Sequence, residues 1–258
     1  MQATEADLAR FEFIENKNRR TYAAMMYALD RGVGRLMSWL EQEDLIEETL
    51  VVFFSDNGGA TSNASWNGPL SGAKGTLREG GVRVPMFWSW PGSFPRGQEF
   101  KSTVSSLDLL PTFLAAASAE ALPLRKPLSH EHRGNFNGGV KSFGAYDGIN
   151  LLPSVTGQEK MPDRALFWRL QGQAAVRTGG DKLIRLSHRP AQWFQPGHDV
   201  GEAEDLTGSS PERLGELFQL LGEWEASLPT VPLWGSSPYW IGESAKHYDR
   251  LAPRKEPH

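Results

Sequence analysis

Between Lys17 and Glu43 apolar residues recur at Tyr22, Met25, Met26, Leu29, Val33, Leu36, Met37 and Leu40. Steps mainly of three and four predict an amphipathic helix. Gly32 and Gly34 interrupt it at about 1 kcal/mol each relative to alanine, and close packing is the expected reason for them. The run 49–55, "TLVVFFS", is β-branched and aromatic and apolar on both faces. It predicts a strand covered on both sides, as in a parallel sheet. "VPMFWSWPG", 84–92, predicts a second strand, closed by Pro-Gly. "SSLDLLPTFLAAASAE" predicts a helix with Asp108 as N-cap and Pro111 in its first turn. Helix, strand, long loop, strand, helix is an α/β pattern.

From 122 to 145 the periodicity gives way to Pro, Gly, His and Asn, which predicts a loop or linker. The last third changes style. "RALFWRL" and "QAAVRTGGDKLIRLS" hold three short strand-like runs, the last two joined across "TGGD" as a hairpin. "PERLGELFQLLGEWEASL" predicts a helix with Leu214, Leu217, Phe218, Leu221 and Trp224 on one face. The organisation expected is an α/β part over 1–121, a linker over 122–145, a smaller subdomain over 146–230 and a polar tail over 231–258.

Composition narrows this picture only a little. With 39% hydrophobic and 22% charged residues the chain is ordinary for a globular protein. A net charge of -4 gives no support to a nucleic-acid or acidic-membrane partner. No apolar run reaches the length of a membrane span. The absence of cysteine excludes disulfides, thiolate metal sites and a cysteine nucleophile within these 258 residues. "MQATEADLARFEFIENKNRR" has no apolar core and is not a signal peptide, so the compartment stays open.

The specific signal is "SDNGG", residues 55–59. Asp-Asn-Gly-Gly suits a hairpin turn, because Asn and Gly tolerate positive φ. A hairpin needs a second strand directly after it, and the stretch that comes next, "ATSNASWNGPLSGAKGTLREGG", is small, polar and glycine-rich. The other reading starts from location. Ligands gather at the carboxyl ends of strands in open α/β sheets. There Asp56 and Asn57 would offer hard oxygen ligands to Ca2+, with Mg2+ the second choice. Lys74, flanked by small residues in "SGAKGTLREGG", can hold an anionic oxygen as a point charge. The sequence leaves both readings open.

Several stretches together carry a family resemblance. They are "YAAMMYALDRGVGRLMSWLEQ", "TLVVFFSDNGG", "PLSGAKGTLREGGVRVPMFWSWPG", "VSSLDLLPTFLAAA", "YDGINLLPSVTG", "RALFWR" and "AVRTGGDKLIRL". In this order they resemble the sulfatase family, of the arylsulfatase type. The resemblance implies an alkaline-phosphatase-like α/β fold: later strands of a mixed sheet flanked by helices, then a small antiparallel sheet with a C-terminal helix. It implies Ca2+-dependent hydrolysis of an aryl or carbohydrate sulfate ester. Asp56 and Asn57 match Ca2+ ligands, Lys74 the lysine that contacts sulfate and stabilises the leaving oxygen, and Glu79 with Arg83 an ion pair. Related phosphodiesterases and phosphonate hydrolases share that logic, and a non-catalytic binding module remains the alternative from another class.

The family's nucleophile, a formylglycine made from Cys or Ser, together with an early Asp pair and a His, belongs to a part of the pattern not found here. The chain therefore matches a C-terminal portion holding half a site, inactive alone and completed by a companion segment or prone to self-association. "SSPER", 209–213, has the Ser-x-Pro-x-Arg outline, but Ser209 and Glu212 also make a capping box before a helix. Ser209 and Ser210 are therefore not expected to be nucleophiles. His130 and His132 could reach a metal if their loop folds over the site, though a polar loop accounts for them. His188, His198, His247 and His258 carry no assigned role, and most of the nine tryptophans are expected in packing.

Overall fold

Thr4 caps a short helix, α1 (Glu5–Ala9), by accepting from the Asp7 N–H. Asn16 does the same for α2 (Lys17–Gln42), accepting from the Arg19 N–H. Helix α2 is the long helix that the periodicity predicts. The computed structural model describes residues 1–118, 146–187, 189–228, 246, 248 and 249. The expected linker and most of the tail, with His130, His132, His188, His247 and His258, lie outside these residues. Next come β1 (Val51–Phe54), α3 (Glu79–Val82) and β2 (Met86–Ser89). After them come α4 (Leu109–Ala116), α5 (Leu152–Val155), β3 (Ala165–Leu170), β4 (Gln173–Thr178), β5 (Asp181–Leu186), β6 (Gln192–Phe194) and α6 (Pro211–Ala226).

The described strands form two sheets, a β1–β2 pair and a four-stranded sheet in the order β3–β4–β5–β6. Strands β4 and β5 are antiparallel from Gln173↔Leu186 to Thr178↔Asp181. Their turn is Gly179-Gly180, with Gly179 at φ 57°, the position where such a hairpin favours glycine. Strand β6 adds antiparallel, pairing Leu183 with Trp193. Ser210 caps α6 and Pro211 opens it. Leu217 and Leu221 are the buried residues of its apolar face, and Trp224 stacks on Phe167 at 5.0 Å between ring centres.

The chain divides into two compact units, one of Met1–Leu45, Val52–Phe87 and Phe167–His258, the other of Ile46–Val51 and Trp88–Leu166. In the first, Ala175, Ile184, Leu186 and Phe194 of the sheet enclose Leu77 and Tyr248. In the second, the fully buried Asp108 bonds the N–H groups of Ser105 and Ile149 and pairs with Arg164.

Three local expectations need correction. Asp108 does not cap α4 with its side chain. A 3-10 turn, Ser106–Asp108, precedes the helix and Ser105 caps that turn. Ser210, one residue later than expected, caps α6, while Ser209 donates to the Leu206 carbonyl. Gly32 and Gly34 are not packing glycines, because a Cβ at either would meet nothing within 4 Å. The apolar stripe of α2 is likewise exposed at Met25, Leu29, Leu36 and Trp39.

Candidate functional site

Strand β1 ends at Phe54, and Ser55 takes its N–H to the Pro85 carbonyl at 3.3 Å. The chain then turns. Ser55 Oγ donates to the Asn57 carbonyl at 2.8 Å, and the Gly58 N–H donates to the Gly81 carbonyl at 2.9 Å. A Cβ at Gly58 would lie 1.8 Å from the Gly80 carbonyl oxygen, so only glycine admits this approach. After β1 no strand begins until Met86, and the hairpin reading of "SDNGG" falls. A 3-10 turn at Thr61–Asn63 comes instead.

Asn67 binds the turn to the lysine loop. Its Oδ1 accepts from the Gly59 N–H at 2.8 Å, and its Nδ2 donates to the Gly59 carbonyl at 2.9 Å and to that of Gly72 at 3.3 Å. The Lys74 N–H donates to the Gly59 carbonyl at 3.2 Å. Thr76 Oγ1 donates to the Ala73 carbonyl at 2.8 Å and closes the loop on itself. Gly72 and Gly75 flank the tip at φ 83° and 91°, a region closed to most side chains. Lys74 is exposed at that tip, between buried Ala73 and Thr76. The backbones carrying the three sequence-predicted residues are thus tied together.

Asp56 is exposed and Asn57 half-buried. Asn57 Oδ1 is buried and accepts no hydrogen bond from the described residues. An unsatisfied buried acceptor costs about 1–3 kcal/mol, which a hydrogen-bond donor or a hard cation at this atom would offset. Among the described residues no group of three or more His, Asp or Glu side chains gathers as a metal cluster. The turn itself carries two oxygen donors, Asp56 and Asn57. His198 is exposed, and the hydroxyls of Ser209 and Ser210 serve the start of α6.

Behind the loop lies a buried ionic cluster that sequence reading misses. The expected Glu79–Arg83 ion pair is present at 3.9 Å, but it is the outermost of the Glu79 contacts, with Arg83 exposed. Glu79 also bonds Lys182 Nζ and Arg177 Nη1, each at 2.8 Å. Burial pushes the Glu79 carboxyl up, but the charges and hydrogen bonds of Lys182 and Arg177 prevail and hold it below the usual carboxylate range. Lys182 also lies 3.0 Å from Glu202 Oε1. Glu202 has φ 50°, which for a residue other than glycine costs on the order of 1–3 kcal/mol. Arg78 donates to the Glu202 carbonyl and to Gln192 Oε1, each at 2.9 Å, and its guanidinium lies over Phe194. The one signal in sequence is a lysine amid the apolar "DKLIRL", since a lysine buried in a strand requires an acidic partner.

Residues 2–119 match a family model described as Sulfatase. The chain is 33% identical to arylsulfatase A of Homo sapiens over 236 residues, covering 85% of this chain and 42% of that protein. It is 28% identical to human N-acetylgalactosamine-6-sulfatase, covering 85% of this chain and 40% of the other. The crystal structure of Ps i-CgsB in complex with k-i-k-neocarrahexaose superposes with a TM-score of 0.75 at 33% identity, covering 96% of this chain and 51% of that one. The chain thus spans about half or less of each of these relatives.

Proposed function

The chain belongs to the sulfatase family, with its alkaline-phosphatase-like fold, and from that premise we propose that the 55–59 turn and the Lys74 loop form part of a site for hydrolysing sulfate esters. The observation that carries this reading is the buried Oδ1 of Asn57, without a hydrogen-bond partner among the described residues, one position from the exposed Asp56. Both are hard oxygen donors, which suit Ca2+, with Mg2+ second. A bound Ca2+ supplies positive charge against the negative charge of the sulfuryl oxygens. Lys74 binds a sulfate oxygen as a point charge and stabilises the departing oxygen. Gly58, Gly59 and Gly75 keep side chains out of the way, so that a tetrahedral anion can approach the backbone. The substrate class is an aryl or carbohydrate sulfate ester. Similarity to N-acetylgalactosamine-6-sulfatase and to a protein solved with k-i-k-neocarrahexaose supports the carbohydrate side.

The site is incomplete in these 258 residues. They contain no cysteine, and their Ser-x-Pro-x-Arg outline is spent on opening α6. This chain alone is therefore expected to show no aryl-sulfate turnover, and turnover that Lys74→Ala abolishes would overturn that expectation. The test of the metal reading is calorimetric titration with Ca2+. Wild type is expected to bind weakly, with Kd on the order of 10⁻⁴–10⁻³ M, and Asp56→Ala or Asn57→Ala at least about tenfold more weakly. Equal binding by all three would leave "SDNGG" as a plain turn.

A further inference from the structure

The loop that presents Lys74 is held from behind by residues remote in sequence but within the same compact unit. Glu202 Oε2 accepts from Ser71 Oγ at 2.8 Å and from the Glu79 N–H at 2.7 Å, the two ends of the 71–79 loop. Lys182 Nζ forms an ion pair with the other carboxylate oxygen at 3.0 Å. A second set holds the middle. Gln173 Nε2 donates to the Gly75 carbonyl at 2.8 Å, and Tyr248 Oη accepts from the Leu77 N–H at 2.7 Å while donating to Gln173 Oε1 at 2.5 Å. Glu202 and Tyr248 are 1% and 5% exposed, so water does not compete for these bonds. Both clamps serve one requirement, because every anchored atom is a backbone group or short side chain of the loop, while the Lys74 side chain at its tip stays exposed.

We propose that Glu202 and Tyr248 are positioning residues for Lys74. They hold the 71–79 loop as a rigid bracket, so that the ammonium meets an anionic oxygen without first ordering its own backbone. This deepens the reading of Lys74 as the sulfate contact and rests on it. A residue that served only the stability of the sheet would loosen sheet and loop together; a bracket loosens the loop alone. Glu202→Gln keeps an acceptor for Ser71 and the Glu79 N–H but turns its amide NH2 toward Lys182 Nζ, so it is not a neutral control.

The test uses the full chain and two readouts: amide hydrogen exchange, and the rate of Lys74 acylation with inorganic sulfate as the protecting anion. In Tyr248→Phe and Glu202→Ala the amides of 71–79 are expected to exchange about tenfold faster, while those of β4 and β5 stay within about twofold of wild type. The sulfate concentration that half-protects Lys74 is expected to rise about tenfold in both. Should Glu202→Ala fail to fold, Tyr248→Phe, which removes a single hydroxyl, carries the test. Uniform acceleration of loop and sheet, or local loosening with unchanged sulfate protection, overturns the positioning role. Failure of sulfate to protect Lys74 in wild type overturns the sulfate reading itself, and the proposal with it.

Discussion

Lys182 is fully buried and lies between two carboxylates, those of Glu79 and Glu202. A charge so placed gains little from burial itself, yet removing it leaves uncompensated partners behind at about 3–5 kcal/mol. Lys182→Met is therefore expected to destabilise the chain by that amount at neutral pH, read by urea denaturation. The pH dependence stems from Glu79. Its folded pKa lies below the unfolded value of 4.5, so its contribution is fully present above 4.5 and is lost as pH falls below it. Without Lys182 the carboxyl loses its strongest cation, its pKa rises toward the unfolded value, and this acid-dependent contribution shrinks. An acid transition that Lys182→Met leaves in place would contradict this assignment. Gly58 illustrates the opposite kind of constraint at the same scale. No charge is involved, only the 1.8 Å that any Cβ would leave to the Gly80 oxygen.

Among the elements, α2 departs furthest from what its pattern predicts. Its apolar residues are helical in spacing, as its 26 residues confirm, but only Ala24 and Leu40 are buried. Gly32 and Gly34 therefore lower helix propensity with no contact in return. Gly32→Ala and Gly34→Ala are each expected to stabilise the chain by about 0.5–1 kcal/mol, observed as a rise in Tm with unchanged Asn16 capping. Destabilisation by either would reveal a neighbour at that surface. Helix α2 is nonetheless anchored, through Arg19 to the Ala64 carbonyl at 3.0 Å and through Arg31 to α1. Arg31 forms two hydrogen bonds with the Asp7 carboxylate of α1, and these bonds lower its pKa from 3.8 to about 2. The α1–α2 contact is accordingly at full strength above pH 3.8 and weakens only toward pH 2.

On the scale of the whole molecule, Met25, Leu29, Leu36 and Trp39 run along one stripe of α2, each between 38% and 50% exposed. Phe87 of β2 is 65% exposed. Apolar surface of this kind drives association. The isolated chain is expected to self-associate in a concentration-dependent manner in sedimentation velocity. Leu29→Glu with Leu36→Glu should shift it toward monomer, and a wild type monomeric at about 100 μM would refute the expectation. No described helix is long and apolar enough to cross a membrane, so this stripe is not a span.

The sequence by itself determined what short-range physics controls. The 3-to-4 spacing set α2, continuous β-branched and aromatic residues set β1, and Gly179-Gly180 set the β4–β5 hairpin. The glycine-rich polar stretch after "SDNGG" denied the turn a partner strand, and motif chemistry singled out Asp56, Asn57 and Lys74 as candidates. The tertiary structure alone decided which partners those elements meet. Glu79 finds Lys182 at a separation of 103 residues, and Glu202 binds the Glu79 N–H across 123. Nothing local distinguishes the Arg83 expected beside Glu79 from the Arg177 and Lys182 that neutralise it. The same holds for Tyr248, a residue in a polar tail whose hydroxyl becomes a clamp only because Leu77 is folded against it. Propensity and spacing act over a few residues, whereas a buried charge takes whichever counter-charge the packing of the whole chain delivers.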